Sequence, residues 1–420
     1  MRLLVITPHF EPDVAPTGEV VTRLVEELAE RGHHIEVVTS LPWYRNHRIE
    51  PGYEGRLTRY EDTPWGKIVR VNPFATSDKR NLLKRGAAFI GFSAVATSIA
   101  ARGEPIDAVL AVSPPLTLGT AGYLVARARK AAFVFNIQDV YPDVAVELGV
   151  LKNRFVIEAA TRFERFCYER ADKITVLSDG LKDNVGARTD PAKVHVIPNF
   201  VDTDWIRPEP IENAYRAEFG LQDKKVVMYA GNVGLSQSMD MVLDSAMALE
   251  YDRDIVFVIN GGGAVLDEAV QRARLLPNVR FVGMQPAARL PEVLGAADVH
   301  LIPLKKGLGR SSVPSKVYSI LAAARPLVAS VDEGSEVALL VERAKAGLAV
   351  PPEDAEALTK AIRRLVDDPD EARRMGEAGR RFVRGWASPA VVAGSYEDLF
   401  KELAANRFAS ANGRRRGTHL

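Results

Sequence analysis

A single cysteine, Cys167, in 420 residues excludes a disulfide framework and a cysteine-rich metal site. It fits a reducing compartment, the cytosol. Placed in FERFCYER, it reads as a core or helix-face residue. Charge of one sign is also missing. Lys and Arg number 55 against 54 Asp and Glu, leaving +1, so nothing draws the whole molecule to nucleic acid. Any basic function is local. Long apolar runs are absent too. The start, MRLLVITPHFEP, carries only Leu3 to Ile6, too short for a signal segment. The nearest approach to a membrane span is 86–101, uncharged but 16 residues long, below the ~18–20 required. GxxxxGK[ST], HExxH and GxSxG do not occur. No DxD, HxH or CxxC stands in a suitable context, so no metal is expected.

What is present is a repeating alternation. Leu3–Thr7, Ile35–Thr39, Ala108–Val112, Ala132–Ile137, Lys173–Leu177 and Val194–Ile197 read as Val/Ile-rich strands, with helical periodicity between them. The helix over Glu19–Arg31 stops at Gly32. The alternation pauses over 198–220, where Pro208 and Pro210 mark a linker, then restarts. Val226–Ala230, Ile255–Asn260, Val279–Val282, Val299–Pro303 and Pro326–Ser330 are the second set of strands. Length predicts two domains. Buried βα units predict an α/β fold with two doubly wound parallel sheets, the ligand lying between them at the carboxyl ends of the strands. The expected domains are 1–203 and 204–388. A helix over 389–410 either ends the second domain or crosses back to the first, and 411–420 reads as a mobile tail.

Glycine turns mark the candidate site. The first, TPHFEPDVAPTG, places His9 after strand one and Gly18 at a helix start, where a ligand could approach the backbone. It is not GxGxxG, and no acidic residue ends strand two, so dinucleotide binding is not favoured. In YAGNVGLSQSMD, Gly231, Asn232 and Gly234 lead into a helix. NGGGAVLDEA, with Gly262, repeats that character. Such turns either bind anions or simply reverse the chain. The stretch 307–330, GLGRSSVPSKVYSILAAARPLVAS, adds Arg310 and Lys316 where a helix begins. It reads as a phosphate site or as a solvated loop. Together these turns point to a diphosphate-bearing ligand. Asp139 and Asp143 in QDVYPDVAVELG offer a carboxylate to orient a substrate hydroxyl or take its proton, with helix capping the alternative for Asp143. His9 contacts ligand or is structural. Lys79, Arg80, Lys84 and Arg85 precede the run 86–101, a pattern for surface contact with anionic membrane or for a buried helix with a solvated start.

TPHFEPDVAPTG, RGHHIEVVTS, QDVYPDVAVELGVL, IPNFVDTDWI, YAGNVGLSQSMD, NVRFVGMQP, VPSKVYSILAAARPLVASVDEGSEVA and AGLAVPPED together resemble the GT-B retaining glycosyltransferases of family 4, over about residues 1–400. The similarity is to the subgroup making bacterial cell-surface polysaccharides of the colanic acid and O-antigen aminosugar type. It implies transfer of a sugar, with retention, from a nucleoside diphosphate donor, UDP-linked in expectation. The acceptor would be lipid-linked or a saccharide. The enzyme would be cytoplasmic or peripheral on the cytoplasmic leaflet, and would need no cofactor beyond its nucleotide-sugar co-substrate. The resemblance places the donor against Gly18, Gly231, Asn232, Gly234, Gly262, Ser315, Ser319 and Glu336. Lys316, Arg310, Asp139 and His9 would act on the reacting groups.

The sequence departs from the family pattern. Asn232 and Gln237 stand where many members carry Arg and Lys on the diphosphate. Ser311 and Ser319 stand where the family's Glu-x7-Glu pair is expected. Pro314-Ser315-Lys316 would compensate, with Lys316 foremost. Two other readings share the fold: a nucleotide-sugar 2-epimerase, whose acid–base arrangement is not found, and a non-catalytic partner subunit.

Overall fold

The computed structural model describes residues 1–45, 47–74, 82–147, 151–307 and 314–416. Lys79, Arg80, Arg310 and Ser311, singled out in the sequence, lie outside them. The chain forms two compact units, Met1–Asn199 with Val392–Leu420, and Phe200–Val391.

In the first unit the order is β1 (Arg2–Ile6), α1 (Pro16–Glu30), β2 (His34–Ser40), β3 (Thr58–Thr63), β4 (Gly66–Val71), α2 (Leu82–Ala100), β5 (Ala108–Ser113), α3 (Thr117–Arg129), β6 (Ala132–Ile137), α4 (Asp143–Glu147), α5 (Arg154–Arg170), β7 (Lys173–Val176), α6 (Asp179–Gly186) and β8 (Val194–Val196). The eight strands lie in the order β3-β4-β2-β1-β5-β6-β7-β8. All pairs are parallel except β3 with β4. The central strands are buried on both faces, as a helix-covered parallel sheet requires. Leu4, Ile6, Val109, Ala111, Phe133 and Phe135 lie in one core cluster, and Cys167 is buried in it. Burial pushes the Cys167 thiol up to about 11, so it stays protonated.

The second unit contains α7 (Ala214–Phe219), β9 (Lys225–Asn232), α8 (Met239–Ala248), β10 (Ile255–Gly262), α9 (Leu266–Arg272), β11 (Val279–Val282), α10 (Leu290–Gly295), β12 (Val299–Pro303), α11 (Ser315–Ala322), β13 (Leu327–Ser330), α12 (Glu336–Ala344), β14 (Gly347–Val350), α13 (Ala355–Asp367) and α14 (Pro369–Trp386). Its strand order is β11-β10-β9-β12-β13-β14. Reading β9 as the first strand, this is the doubly wound order, with its switch point between β9 and β12.

The sequence reading omits the β3–β4 hairpin and β14. β3 is TRYEDT, a polar edge strand with no fully buried residue, so it lacks the apolar run that betrays a parallel strand. β14 is four residues, GLAV.

The last helix, α15 (Pro389–Arg416), begins in the second unit and continues in the first. It extends beyond the expected end near 410, and residues 417–420 of the expected tail lie outside the described residues. Asn136 Nδ2 on β6 donates to the buried Tyr396 hydroxyl at 3.0 Å, which lies 3.2 Å from Thr175 Oγ1 on β7. Glu397 accepts from Arg31 at 3.1 Å.

Helix α2 turns Phe92, Ala96 and Ala100 into the core and leaves Ile90 62 % exposed. Among the described residues no helix is long and apolar enough to cross a membrane.

Candidate active site

The second unit gathers the glycine turns and Lys316 at the carboxyl edge of its sheet. β9 and β10 stay paired through Gly231↔Gly261 and Asn232↔Gly262. This pairing requires glycine. Gly261 has φ +154°, and a Cβ there would lie 1.9 Å from the Gly231 carbonyl oxygen. Gly231 has φ +138°, and its missing side chain leaves room for Lys316, whose Nζ would be 3.2 Å from a Cβ. At Gly262 a Cβ would meet nothing within 4 Å. Gly234 sits against the Asn232 amide, and Val233 N–H donates to the Gly262 carbonyl at 2.8 Å, tying the two turns together.

Lys316 enters this edge from the first turn of α11. Ser315, the first residue of that helix, is exposed, and Ser319 one turn on is half-buried. Proline at 314 supplies no side-chain cap; the Val317 N–H donates to the Pro314 carbonyl at 2.9 Å, and among the described residues the Ser315 and Lys316 N–H groups have no acceptor. Lys316 Nζ donates to the Tyr229 hydroxyl at 2.7 Å and lies 4.3 Å from the centre of the Tyr229 ring. Tyr229 in turn donates to the Asn232 carbonyl at 2.5 Å. Among the described residues no carboxylate pairs with Lys316. Burial lowers its ammonium to about 8, so it is mostly charged at neutral pH but poorly compensated. Glu336 opens α12 at the same edge, where Gly307 N–H donates to Asp332 Oδ2 at 2.8 Å.

In the first unit His9 follows β1. Its Nδ1 is 2.7 Å from Asp13 Oδ2, and the Asp13 side chain is fully buried. Asp13 Oδ1 also accepts from the Tyr44 N–H at 2.9 Å. The His9 ring stacks on Trp43 at 5.6 Å. These contacts orient the imidazole. Gly18 faces this loop rather than open space: a Cβ there would lie 3.0 Å from His9 Cβ and 3.3 Å from the Asp13 carbonyl. Asp139 follows β6, half-buried and without a side-chain partner among the described residues, and burial raises its pKa. Asp143, by contrast, is held structurally. It pairs with Arg188, which also binds Glu164 at 2.9 Å. No group of three or more His, Cys, Asp or Glu among the described residues is placed to hold a metal.

Sequence reading missed Tyr229 and Asp13. Asp13 stands four residues after His9, a spacing that signals a pair only once the loop's path is known. Tyr229 lies two residues before Gly231 on one strand, which puts both on the same face.

Residues 17–199 match the family model of the glycosyl transferase 4-like domain, and 212–382 that of glycosyl transferases group 1. The glycosyltransferase WbjE of Pseudomonas aeruginosa is 31% identical over 298 residues, covering 69% of this chain and 74% of that protein. The chain belongs to the family 4 glycosyltransferases of bacterial polysaccharide synthesis. WcaI of Escherichia coli K12, named as a colanic acid biosynthesis glycosyl transferase, is 28% identical to this glycosyltransferase over 379 residues, 87% of this chain and 92% of its own. The fold agrees. Sucrose-phosphate synthase of Thermosynechococcus elongatus superposes with a TM-score of 0.71 at 20% identity, over 97% of this chain and 100% of that one. The glycosyltransferase therefore has the GT-B fold.

Proposed function

We propose that this glycosyltransferase moves a sugar from a nucleoside diphosphate donor, UDP-linked, to a lipid-linked or saccharide acceptor, with retention at the anomeric carbon. The product enters cell-envelope or exopolysaccharide synthesis. The observation that carries the donor reading is Lys316, a largely buried cation with no carboxylate partner, at the open start of a helix beside two glycine turns. A diphosphate supplies the missing negative charge. As the sugar–phosphate bond breaks, charge grows on the leaving diphosphate, and Lys316 with the α11 N–H groups stabilises it without reorganising. A fixed cation in that place serves where a metal ion would otherwise be needed. Asp139, its pKa raised by burial, holds or accepts the acceptor hydroxyl's proton. The Asp13-oriented His9 ring contacts the sugar or acceptor.

The test is a thermal-shift panel of nucleotide sugars, followed by release of free nucleoside diphosphate with membrane extract as acceptor source. A ligand at 100 times its Kd adds about 2.7 kcal/mol of stability. A UDP-sugar shift with extract-dependent UDP release is expected. No shift with any nucleotide sugar rules the reading out, and epimerised free donor without acceptor replaces it with the epimerase.

We also propose peripheral attachment to the cytoplasmic leaflet through Lys79, Arg80, Lys84 and Arg85, around the start of α2, and the exposed Ile90. Each basic residue contributes about 1 kcal/mol at an anionic surface. Changing Lys79, Arg80, Lys84 and Arg85 to Gln is expected to abolish flotation with anionic liposomes. Equal flotation of the variant removes the electrostatic claim.

A further inference from the structure

On the opposite edge of the second sheet lies a cavity of about 700 Å³ with no part in the site above. Pro208 and Glu209 form one wall. The turn Ala323–Arg325, which leads into the amino end of β13, forms another. The third is α14, which presents Arg373, Glu377, Arg380, Arg381 and Arg384. Their spacing of four, three, one and three residues puts them on one helix face. With Arg325, five arginines meet two glutamates around a single cavity.

The two innermost arginines are fixed but not neutralised. Arg380 donates to the carbonyls of Ile206 at 3.1 Å, Thr203 at 3.2 Å and Ala322. Arg325 Nη2 donates to the Glu209 carbonyl at 2.7 Å, and its buried Nε has no hydrogen-bond partner. Main-chain carbonyls orient a guanidinium without cancelling its charge. Burial depresses the pKa of both groups, and the Arg384 charge adds to that at Arg380. Arg325, Arg380 and Arg384 form no ion pair with a carboxylate among the described residues. The nearby Asp298 is taken by Arg216 at 2.6 Å. Arg373 and Arg381 at the rim have only exposed partners, Asp370 at 2.9 Å and Glu377 at 4.0 Å. Such surface pairs contribute little and exchange readily for a better anion. The volume suits a small ligand, and the planar fork of arginine matches phosphoryl oxygens two at a time.

We infer that this cavity is a second anion site, separate from the donor site, which binds a phosphoryl group through Arg325 and Arg380 within and Arg373, Arg381 and Arg384 at its mouth. The phosphoryl group belongs either to a small soluble phosphate compound or to a phospholipid headgroup.

The test uses the full chain carrying Lys316→Met, so that the donor site does not dominate, with inorganic pyrophosphate titrated calorimetrically. Binding is expected. Adding Arg373→Gln, Arg381→Gln and Arg384→Gln lowers affinity by about tenfold or more, the loss of one or two charge-assisted contacts. These side chains are exposed, so folding is retained, which the melting temperature checks. A control removes the same charge at Arg162, Arg165 and Arg253, exposed arginines outside the cavity lining, and changes affinity by less than about twofold. A second arm measures co-sedimentation with vesicles of phosphatidylglycerol in phosphatidylcholine. Pocket-dependent pyrophosphate binding assigns a soluble ligand. Pocket-dependent sedimentation without pyrophosphate binding assigns the headgroup. Equal losses in the pocket and control variants, or no binding in either arm, overturn the site. None of these outcomes bears on sugar transfer, because the cavity shares no residue with the donor site.

Discussion

Lys316→Met lowers kcat/KM for sugar transfer by about tenfold or more and, in the absence of donor, raises the melting temperature. The two effects share one cause. A charge-assisted contact to a diphosphate stabilises the bound state and transition state by roughly 1.5–3 kcal/mol, at about 1.4 kcal/mol per decade of rate. Without the anion the same charge is a burden. The folded protein holds the ammonium at about 8, below its ordinary 10.5, so folding favours the neutral form. Below pH 8 the group is charged in both states, and the buried charge costs on the order of 3 kcal/mol, partly offset by Tyr229. The cost shrinks as pH rises from 8 towards 10.5. The stability gap between wild type and variant is therefore widest at neutral pH and closes in alkali. Methionine keeps the stem and removes the charge, so a unit of this size gains several degrees, at roughly 2–4 °C per kcal/mol. Donor affinity of the wild type falls as pH rises through about 8, where the apo ammonium loses its proton. Calorimetric melting with and without donor, and kcat/KM across pH 6.5–9.5, read all of this. An unchanged rate sinks the role of Lys316, and an unchanged melting temperature sinks the burden.

Gly261→Ala is expected to destabilise the second unit by about 3 kcal/mol or more and to remove the donor-induced thermal shift. The φ of +154° is unfavourable for any L side chain, and the 1.9 Å approach to the Gly231 carbonyl cannot be relieved by rotating a flexible group. The only escape is to separate β9 from β10 where their ends shape the site. Gly262→Ala is the matched control. Its Cβ would enter empty space at φ below zero, so stability stays within about 0.5 kcal/mol while KM for the donor rises. Chemical denaturation of the two variants separates backbone requirement from ligand contact. Equal stability of Gly261→Ala and wild type refutes the close-approach argument.

Much of the architecture was legible because parallel strands buried on both faces leave unbroken Val/Ile runs, as at β5 and β9. The β3–β4 hairpin escaped notice because an edge strand such as TRYEDT carries polar side chains at most positions. At the site, the glycines and Lys316 stand out by composition. What turns Lys316 into a poised cation is a tertiary fact: Tyr229, 87 residues away, meets it across the sheet edge. Sequence spacing could not distinguish the roles of Asp139 and Asp143 either. Arg188 claims Asp143 and leaves Asp139 alone, and nothing local to QDVYPD announces the distant arginine.

The hydrogen bonds that Asn136 and Thr175 share with Tyr396 set an order of assembly. β6 and β7 leave the ribosome early, yet the hydroxyl that meets their polar side chains is translated more than 200 residues later. The first-synthesised unit is thus the last to be completed. While the second unit folds, Asn136 and Thr175 wait for a partner at a surface the final helix has yet to cover, and a nascent chain stopped before Tyr396 leaves its earliest domain unfinished.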